Sequence, residues 1–440
     1  MKYIIYAMLV TTILSAQDPV NTAEEHIEGQ THVYNALLRL AKQDDPAAQV
    51  DVGRAFLLGQ YGLEKSGKEA LKWLAKASMK RKNESGEMSV GDPRSLVWLG
   101  MCYDGYFPDL VIKENPNKAI EYFHMALEYK LRKAHYYLAY AYKQRGRKTM
   151  AAEHFKEAAR LGIKKCQLEY GKILLNGIGV KTDPVKALPY LVNASDKGST
   201  EAQMMLVDCY AGKYKGIKRD DKKMVEQLWE ASKTNYDAMA KVAYLLEHGI
   251  HLNKDLMLSI RWYTKASLLG SQEAQMRMAY FFSNGIGVKR NQKEALKLYT
   301  LVSMNRRNTK LAAQANYNLA LAYFVGKGIE VDNKTAFDFF KKSSELVPSA
   351  NTFYNIGNFY EVGIAYEKGK KIKDIKKALL YYEKAEKLGD GRASTRLIRA
   401  YATGDIVKKD INKASEILKK NMKNISQKDL QDLLKLFEKK

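Results

Sequence analysis

The stretch that decides the fold is residues 278–303, which read MAYFFSNGIGVKRNQKEALKLYTLVS. An apolar face ends at the loop Gly285-Ile-Gly-Val288, and a second apolar face begins at Ala295. The first Gly of such a loop can adopt the left-handed conformation that closes a helix, and the second helps the chain turn tightly. The stretch is therefore predicted to form two antiparallel helices joined by a short loop.

The same pattern recurs along most of the chain, most clearly at 169–195, 319–344 and 355–386. In each copy the first helix carries a small residue followed three positions later by a large one. Because spacings of three, four and seven fall on one helical face, this face is expected to pack on the paired helix. The small residue of the first helix recurs at Gly53, Gly100, Ala139, Gly171, Val207, Ala243, Ala279, Ala320, Gly357 and Ile398.

The second helix of each copy has its own pattern. A small residue is followed by large residues at three and four positions and by another small residue at seven. We expect the small residues of one helix to interlock with the rings of the other. The residues at the third position, taken as the interlocking set, are Trp73, Tyr122, His154, Tyr190, Trp262, Phe339 and Tyr381.

These motifs resemble Sel1-like repeats, a subclass of the tetratricopeptide-type helical repeats. The resemblance covers residues 47–424 and implies an all-α fold, a right-handed α-solenoid of about ten helix-turn-helix repeats. The third repeat departs from the pattern through its short loop QRGRKT, and the fifth, around Val207 and Trp229, is degenerate. Extra residues within 79–93 and in the ninth repeat are expected to form projecting loops.

The flanking segments complete the predicted domain organisation. Residues 1–16, MKYIIYAMLVTTILSA, have the cation, apolar run and small residues of a secretory signal peptide, and a short membrane anchor or a buried first helix is the alternative. Residues 17–46 are predicted to be an N-terminal capping segment and 425–440 a C-terminal capping helix. The expected location is periplasmic or secreted, with no transmembrane segment in the mature chain.

The sequence offers little catalytic chemistry. Cys102 and Cys209 occupy the same helix-interior position of their repeats, and with Cys166 they are predicted to be reduced structural cysteines. His248 and His251 beside Glu247 could hold a metal, but a helix that ends in an exposed loop explains them equally well. No nucleotide-binding or hydrolase motif is present. We therefore predict no enzymatic activity, no cofactor, no metal and no catalytic residue.

The predicted binding surface follows from the resemblance, because the first helices of tetratricopeptide-type repeats line the concave face. Residues three before and one after the small residue should point into that face, where Tyr and Met recur. Both side chains suit protein recognition. The alternative is that half of them pack between adjacent repeats. The predicted partner-binding residues are Tyr136, Tyr140, Met204, Tyr244, Met276, Tyr280, Tyr317 and Tyr354.

The formal net charge of +24 arises from 73 Lys and Arg against 49 Asp and Glu among 440 residues. Lysine predominates, which favours a solvated exterior over nucleic-acid readout, for which Arg is better suited. Two functions remain open: a protein or peptide scaffold of the bacterial envelope, or secreted and in host contact, and an accessory factor that binds an anionic polymer or lipid surface. The candidate anion-binding residues in the ninth repeat are Lys368, Lys370, Lys371, Lys373, Lys376 and Lys377.

Overall fold

The computed structural model describes residues 22–82 and 86–438, so the predicted signal peptide lies outside the described residues. Within that part the regular secondary structure is almost entirely helical, with four short strands, and the predicted all-α solenoid of helix-turn-helix repeats is confirmed. The helices are α1 Thr22–Lys42, α2 Pro46–Leu58, α3 Gly67–Ala77, α4 Arg94–Tyr103, α5 Pro116–Glu128, α6 Ala134–Gln144, α7 Lys148–Arg160, α8 Lys164–Asn176, α9 Pro184–Asp196, α10 Thr200–Tyr210, α11 Asp221–Ser232, α12 Tyr236–His248, α13 Leu256–Leu268, α14 Gln272–Asn284, α15 Gln292–Met304, α16 Thr309–Val325, α17 Asn333–Leu346, α18 Ala350–Val362, α19 Ile375–Lys387, α20 Gly391–Thr403, α21 Ile411–Asn421 and α22 Gln427–Glu438.

The chain divides into two compact units, residues 1–220 and 221–440. The division falls between α10 and α11, inside the fifth repeat, where the sequence pattern is degenerate. Within each unit every helix packs against the next in chain order as far as α10 in the first and α21 in the second, and α22 packs against α20. None of the described helices is both long and apolar enough to cross a membrane.

Capping residues set the helix boundaries. Asn291 precedes α15, and its side-chain oxygen accepts a hydrogen bond from the Glu294 backbone N–H at 3.1 Å. Gly285 ends α14 with φ of 71°, the left-handed conformation predicted from the loop. The second loop glycine, Gly287, is also left-handed, and a Cβ there would lie 2.4 Å from Ile260 Cδ1. The Gly-x-Gly loop is thus both a helix terminus and a close contact with the preceding repeat.

The helices of a pair interlock as the small-residue pattern predicts, but through a different ring. A Cβ on Gly100 would lie 2.4 Å from Phe123 Cε1, and one on Gly357 would lie 2.8 Å from Tyr382 Cε1. Phe123 and Tyr382 stand four positions after the small residue of the second helix, and both are fully buried. The residue at the fourth position, rather than the third, therefore fills the space above the small residue.

The third-position rings have another role, because they stack on the large residue of the first helix. The parallel rings of Tyr103 and Tyr122 have centroids 5.9 Å apart, and Tyr142 and His154 stack at 5.5 Å. The same stack occurs between Tyr360 and Tyr381 at 5.7 Å. The sequence identified the right helical face but assigned the interlocking contact to the wrong member of the ring pair.

The two insertions, predicted from the sequence to be projecting loops, form β-hairpins. Strands β1 Lys80–Lys82 and β2 Met88–Val90 pair antiparallel in the first unit. In the second unit β3 Ala365–Glu367 pairs with β4 Lys370–Ile372. Lys368 and Gly369 connect β3 to β4 with φ of 48° and 78°, as a type I′ turn requires. A Lys-Gly turn between three-residue strands is too weak a signal to predict from sequence.

Candidate binding groove

A groove of about 420 Å³ lies in the second unit, between helices α12, α14 and α16. These are the first helices of the sixth, seventh and eighth repeats. Tyr244, Met276 and Tyr280, three of the predicted partner-binding residues, line this groove together. We refer to this surface as the tyrosine groove.

The repeat register explains why these three side chains share a surface. Ala243 and Ala279 are fully buried against their second helices. Tyr244 and Tyr280 each follow such a residue by one position, and Met276 precedes Ala279 by three. At about 100° per residue these positions are displaced to the same side of the buried face. The rings remain accessible, since 49% of Tyr244 and 42% of Tyr280 is exposed.

A buried carboxylate organises one wall of the groove. Glu247, 9% exposed, accepts a hydrogen bond from Arg277 Nε at 2.9 Å and one from the Tyr263 hydroxyl at 3.2 Å. Arg277 also pairs with this carboxylate through Nη2. Its guanidinium lies 4.9 Å from the centroid of the Tyr280 ring. The ion pair therefore fixes the cation beneath a ring of the groove.

The same arrangement recurs between the ninth and tenth repeats. Arg396 donates to Glu361 from Nε at 3.0 Å and from Nη2 at 2.6 Å, and the Tyr382 hydroxyl donates to the same carboxylate at 2.8 Å. In both cases the Glu stands four positions after the small residue, and the Arg two before the next. We call each set a Tyr-Glu-Arg triad. The triads were not predicted from the sequence, although the recurring positions of this Glu and this Arg in the repeat are visible there.

The remaining predicted residues do not join the tyrosine groove. In the second unit Tyr317 lines a smaller cavity of about 240 Å³, and the Arg392 guanidinium covers the Tyr354 ring at 4.4 Å. In the first unit Tyr136 and Tyr140 are half-buried with ring centroids 5.0 Å apart, and Met204 is also half-buried. The eight predicted residues are thus divided between two units rather than gathered in one site.

The six candidate anion-binding lysines lie on and after the β3–β4 hairpin. Lys377 Nζ forms an ion pair with Glu367, so its charge is already matched within the protein. The ion pair raises the pKa of Lys377. The other five side chains are exposed, at Lys368, Lys370, Lys371, Lys373 and Lys376.

The candidate metal ligands Glu247, His248 and His251 contact other protein groups, and the three cysteines are buried. The Glu247 carboxylate accepts hydrogen bonds from Arg277 and Tyr263. His248 Nδ1 lies 2.9 Å from the Tyr244 carbonyl oxygen, and His251 Nδ1 lies 3.4 Å from an Asp221 carboxylate oxygen. Cys102, Cys166 and Cys209 are free and buried. Burial raises the pKa of the Cys102 and Cys166 thiols to about 12 and that of Cys209 to about 11.

The family model described as Sel1 repeat matches most of the chain, at residues 46–81, 93–128, 164–199, 237–271, 272–302, 313–347, 360–390 and 398–420. The chain belongs to the Sel1 repeat family. The unmatched stretches contain the short-loop third repeat and the degenerate fifth. Sel1 repeat proteins mediate protein–protein interactions. The family is therefore a scaffold and interaction fold.

Individual relatives are distant. The chain is 22% identical over 250 residues to the ERAD-associated E3 ubiquitin-protein ligase component HRD3B of Arabidopsis thaliana, covering 56% of this chain and 35% of that protein. The chain thus spans about a third of the length of this curated relative.

Two solved structures are similar to this chain. One is c5321, a protective antigen present in uropathogenic Escherichia coli strains displaying an SLR fold, with 20% identity, a TM-score of 0.63 and coverage of 92% of this chain and 93% of that one. A Sel1 repeat protein from Oxalobacter formigenes is 22% identical with a TM-score of 0.47, over 56% of this chain and 94% of the other. The likeness to c5321 supports the fold alone.

Proposed function

We propose that this protein is a non-enzymatic interaction scaffold that holds a segment of a partner protein in the tyrosine groove. The exposure of Tyr244 and Tyr280, which line the groove together with Met276, carries the proposal. Tyrosine offers a large contact area with few rotatable bonds, and methionine adapts to the shape of a ligand. A volume of about 420 Å³ lies within the range of small-ligand sites and accommodates a few partner side chains.

Fixed polar groups support recognition of a specific segment. Arg277 is 34% exposed while Glu247 holds its guanidinium, so it loses little conformational freedom when a partner binds. Lys241 and Glu273 also line the groove and bring one further charge of each sign. A partner segment with apolar side chains flanked by polar ones matches this lining.

The proposed absence of catalysis is supported by the state of the nucleophiles. The thiolate is the reactive form of cysteine, and a pKa of about 11 or 12 leaves almost none of it at neutral pH. The sequence also carries no hydrolase or nucleotide-binding motif that would supply another catalytic group.

The proposed location is the bacterial envelope or the exterior, where contact with a host would follow. Residues 1–16 support this proposal through their signal-peptide pattern. N-terminal sequencing of the protein isolated from its native cells tests it. A mature chain that begins at Gln17 is expected, whereas an intact Met1 on protein recovered from the cytoplasm would exclude export.

The scaffold is tested by capture of partners on immobilised full-length protein at moderate salt. The variant Tyr244→Ala/Tyr280→Ala should lose the partners that the unaltered protein retains. The matched control is Leu268→Ala/Leu269→Ala, which removes side chains that are 83% and 52% exposed elsewhere in the same unit. Equal retention by the groove variant and the unaltered protein would contradict the proposal, as would equal loss in the control.

The second candidate function is binding of an anionic envelope polymer or lipid surface. It is favoured by five exposed lysines on and after the β3–β4 hairpin. Salt distinguishes the two functions, because exposed charges are screened over about 10 Å at 0.1 M ionic strength. Binding through the hairpin should disappear as the salt concentration rises, whereas capture in the tyrosine groove should persist. Replacing Lys370 and Lys371 by Gln should weaken only the salt-sensitive component.

A further inference from the structure

A second cavity, of about 900 Å³, lies in the first unit between α7 and α9, with α8 at its base. The loop that follows α8 contributes to its rim. Four cationic side chains line it, at Lys156, Arg160, Lys181 and Lys186. We call it the cationic cavity. It is remote in sequence from the tyrosine groove and independent of the function proposed for that groove.

The cations of the cavity are only partly neutralised. Arg160 pairs with Glu157 at 2.9 Å, and Lys186 pairs with Asp183 at 2.8 Å. Lys156 and Lys181 form no ion pair with any residue that the structure describes. The cavity therefore presents about two uncompensated positive charges, which suits a dianion.

A hydroxyl that makes no hydrogen bond to the described residues faces the cavity. Tyr170 is 8% exposed, and its side chain lines the cavity. Its ring packs edge-on against Tyr190 at 4.9 Å, but its hydroxyl has no hydrogen-bond partner within residues 22–82 and 86–438. Burial raises the pKa of Tyr170, so the hydroxyl stays protonated and can donate. The ring is largely buried but the hydroxyl is open to the cavity, where it can donate to an acceptor on a bound ligand.

The repeat itself shows that Tyr170 is unusual. It occupies the position directly before the small residue of the first helix, Gly171. The other nine repeats have a buried aliphatic or methionine side chain at this position: Val52, Leu99, Leu138, Leu206, Val242, Met278, Leu319, Ile356 and Leu397. The packing of the repeat thus requires an apolar residue there and has no use for a hydroxyl. Only at the fourth repeat does a hydroxyl take this position, and there it lines the same cavity as four cationic side chains.

We propose that the cationic cavity binds a phosphate monoester. Lys156, Lys181 and Arg160 hold the phosphoryl oxygens, and the Tyr170 hydroxyl donates a hydrogen bond to one of them. Leu174 and the Tyr190 ring offer apolar contact to the organic part, for which the cavity has room. The same phosphoryl chemistry is found in a soluble ester and in a phosphomonoester lipid headgroup.

The binding test uses full-length protein and isothermal titration calorimetry with phenyl phosphate, with phenol as the uncharged comparison. Saturable binding of phenyl phosphate but not of phenol is expected. Tyr170→Phe, which keeps the ring, should weaken binding roughly tenfold, as loss of a charge-assisted hydrogen bond implies. Lys156→Gln/Lys181→Gln should weaken it by at least as much. The control Lys289→Gln/Lys327→Gln removes the same charge from exposed positions in the second unit and should leave binding unchanged.

Two results would overturn the proposal: no saturable binding of phenyl phosphate, or an equal loss of binding in the control variant. A thermal measurement provides a second criterion. Because the hydroxyl has no internal partner, Tyr170→Phe should keep or raise the melting temperature. A clear fall would show that the hydroxyl serves the fold instead.

Vesicles identify the source of the phosphate. Phosphatidylcholine vesicles that contain phosphatidic acid should bind more tightly than phenyl phosphate, per accessible phosphate, if a lipid headgroup is the natural ligand. Equal or weaker binding assigns the site to soluble esters. In both cases the Tyr170→Phe variant should weaken binding roughly tenfold, and vesicle binding of unchanged affinity in this variant would count against the cavity.

Discussion

Helices α6 and α14 carry the same pattern with opposite results. Tyr136 and Tyr140 in α6 occupy the positions that Met276 and Tyr280 occupy in α14, three before and one after the small residue. In α6 the two rings contact one another, and Tyr140 packs on the buried Phe155 at 5.1 Å. In α14 Tyr280 stays 42% exposed and lines a groove. The position of a residue in the repeat therefore determines which face of the helix it lies on, but not whether its side chain is exposed there.

The residue two positions before the small residue accounts for the difference. In α6 it is Tyr137, which stacks on Phe123 at 5.3 Å and meets Tyr136 edge-on at 5.1 Å. In α14 it is Arg277, whose charge is held by Glu247. An aromatic residue at this position extends the core over its neighbours, whereas a cation held by a buried carboxylate keeps the adjacent ring at the surface.

Replacing the cation of the triad should have the largest effect on stability. Arg277→Met leaves the Glu247 carboxylate buried without its counter-ion, which typically costs about 3 kcal/mol or more. The free energy of unfolding of the second unit, measured with urea, should fall by that amount. The double variant Glu247→Gln/Arg277→Met should recover most of the loss. A single variant as stable as the unaltered protein would show that the triad does not support the groove.

The two tyrosines provide the next test. Tyr140→Ala removes a ring packed on Phe155 and should lower the free energy of unfolding by about 2 kcal/mol, less than a fully buried ring costs. Tyr280→Ala removes a half-exposed ring and should cost about 0.5 kcal/mol. Thermal unfolding followed by circular dichroism compares them directly. Equal losses would mean that both rings serve the core and that the contrast between α6 and α14 is only apparent.

The smallest expected effect is on how the free energy of unfolding of the first unit, which contains α6, depends on pH. His154 stacks on Tyr142, and its Nδ1 lies 2.9 Å from His135 Nδ1. Burial, with His135 and His124 nearby, lowers the pKa of His154 to about 4. The unfolded chain takes up this proton near pH 6.5, so this contribution to stability is complete above that pH and is lost as the pH falls toward 4.

His154→Phe introduces the ring that Phe339 supplies at the same position of the eighth repeat. It should make the free energy of unfolding of the first unit less dependent on pH between 6.5 and 4. Urea unfolding at pH 7 and pH 5 measures the difference. The same pH dependence in both proteins would show that His154 does not titrate in this range.

The sequence predicted the helices because their small residues recur on one face. Gly100 and Gly357 mark that face without ambiguity, and the left-handed Gly285 was expected from its place in the loop. The distinction between Tyr122 and Phe123 was not predictable in this way. Both lie on the same helical face, and only the crossing of the two helices decides which ring meets Gly100.

The sites were harder to predict because they depend on neighbouring repeats. Tyr140 and Tyr280 look equivalent in the sequence, and their exposure depends on Tyr137 and Arg277. The triads join residues about one repeat apart, as in the 30 positions between Glu247 and Arg277. Tyr170 was visible as a polar residue in an apolar column, but its unpartnered hydroxyl becomes apparent only when the cavity around it is known.

The central claim is that a partner contacts the exposed Tyr280 of α14 and does not contact the packed Tyr140 of α6. A photo-cross-linking amino acid placed at position 280 or at position 140, in native cells, tests it most directly. We predict a discrete cross-linked product from position 280 that disappears when Tyr244 is replaced by Ala, and no product from position 140. A product of equal yield from both positions, or none from position 280, would contradict the account.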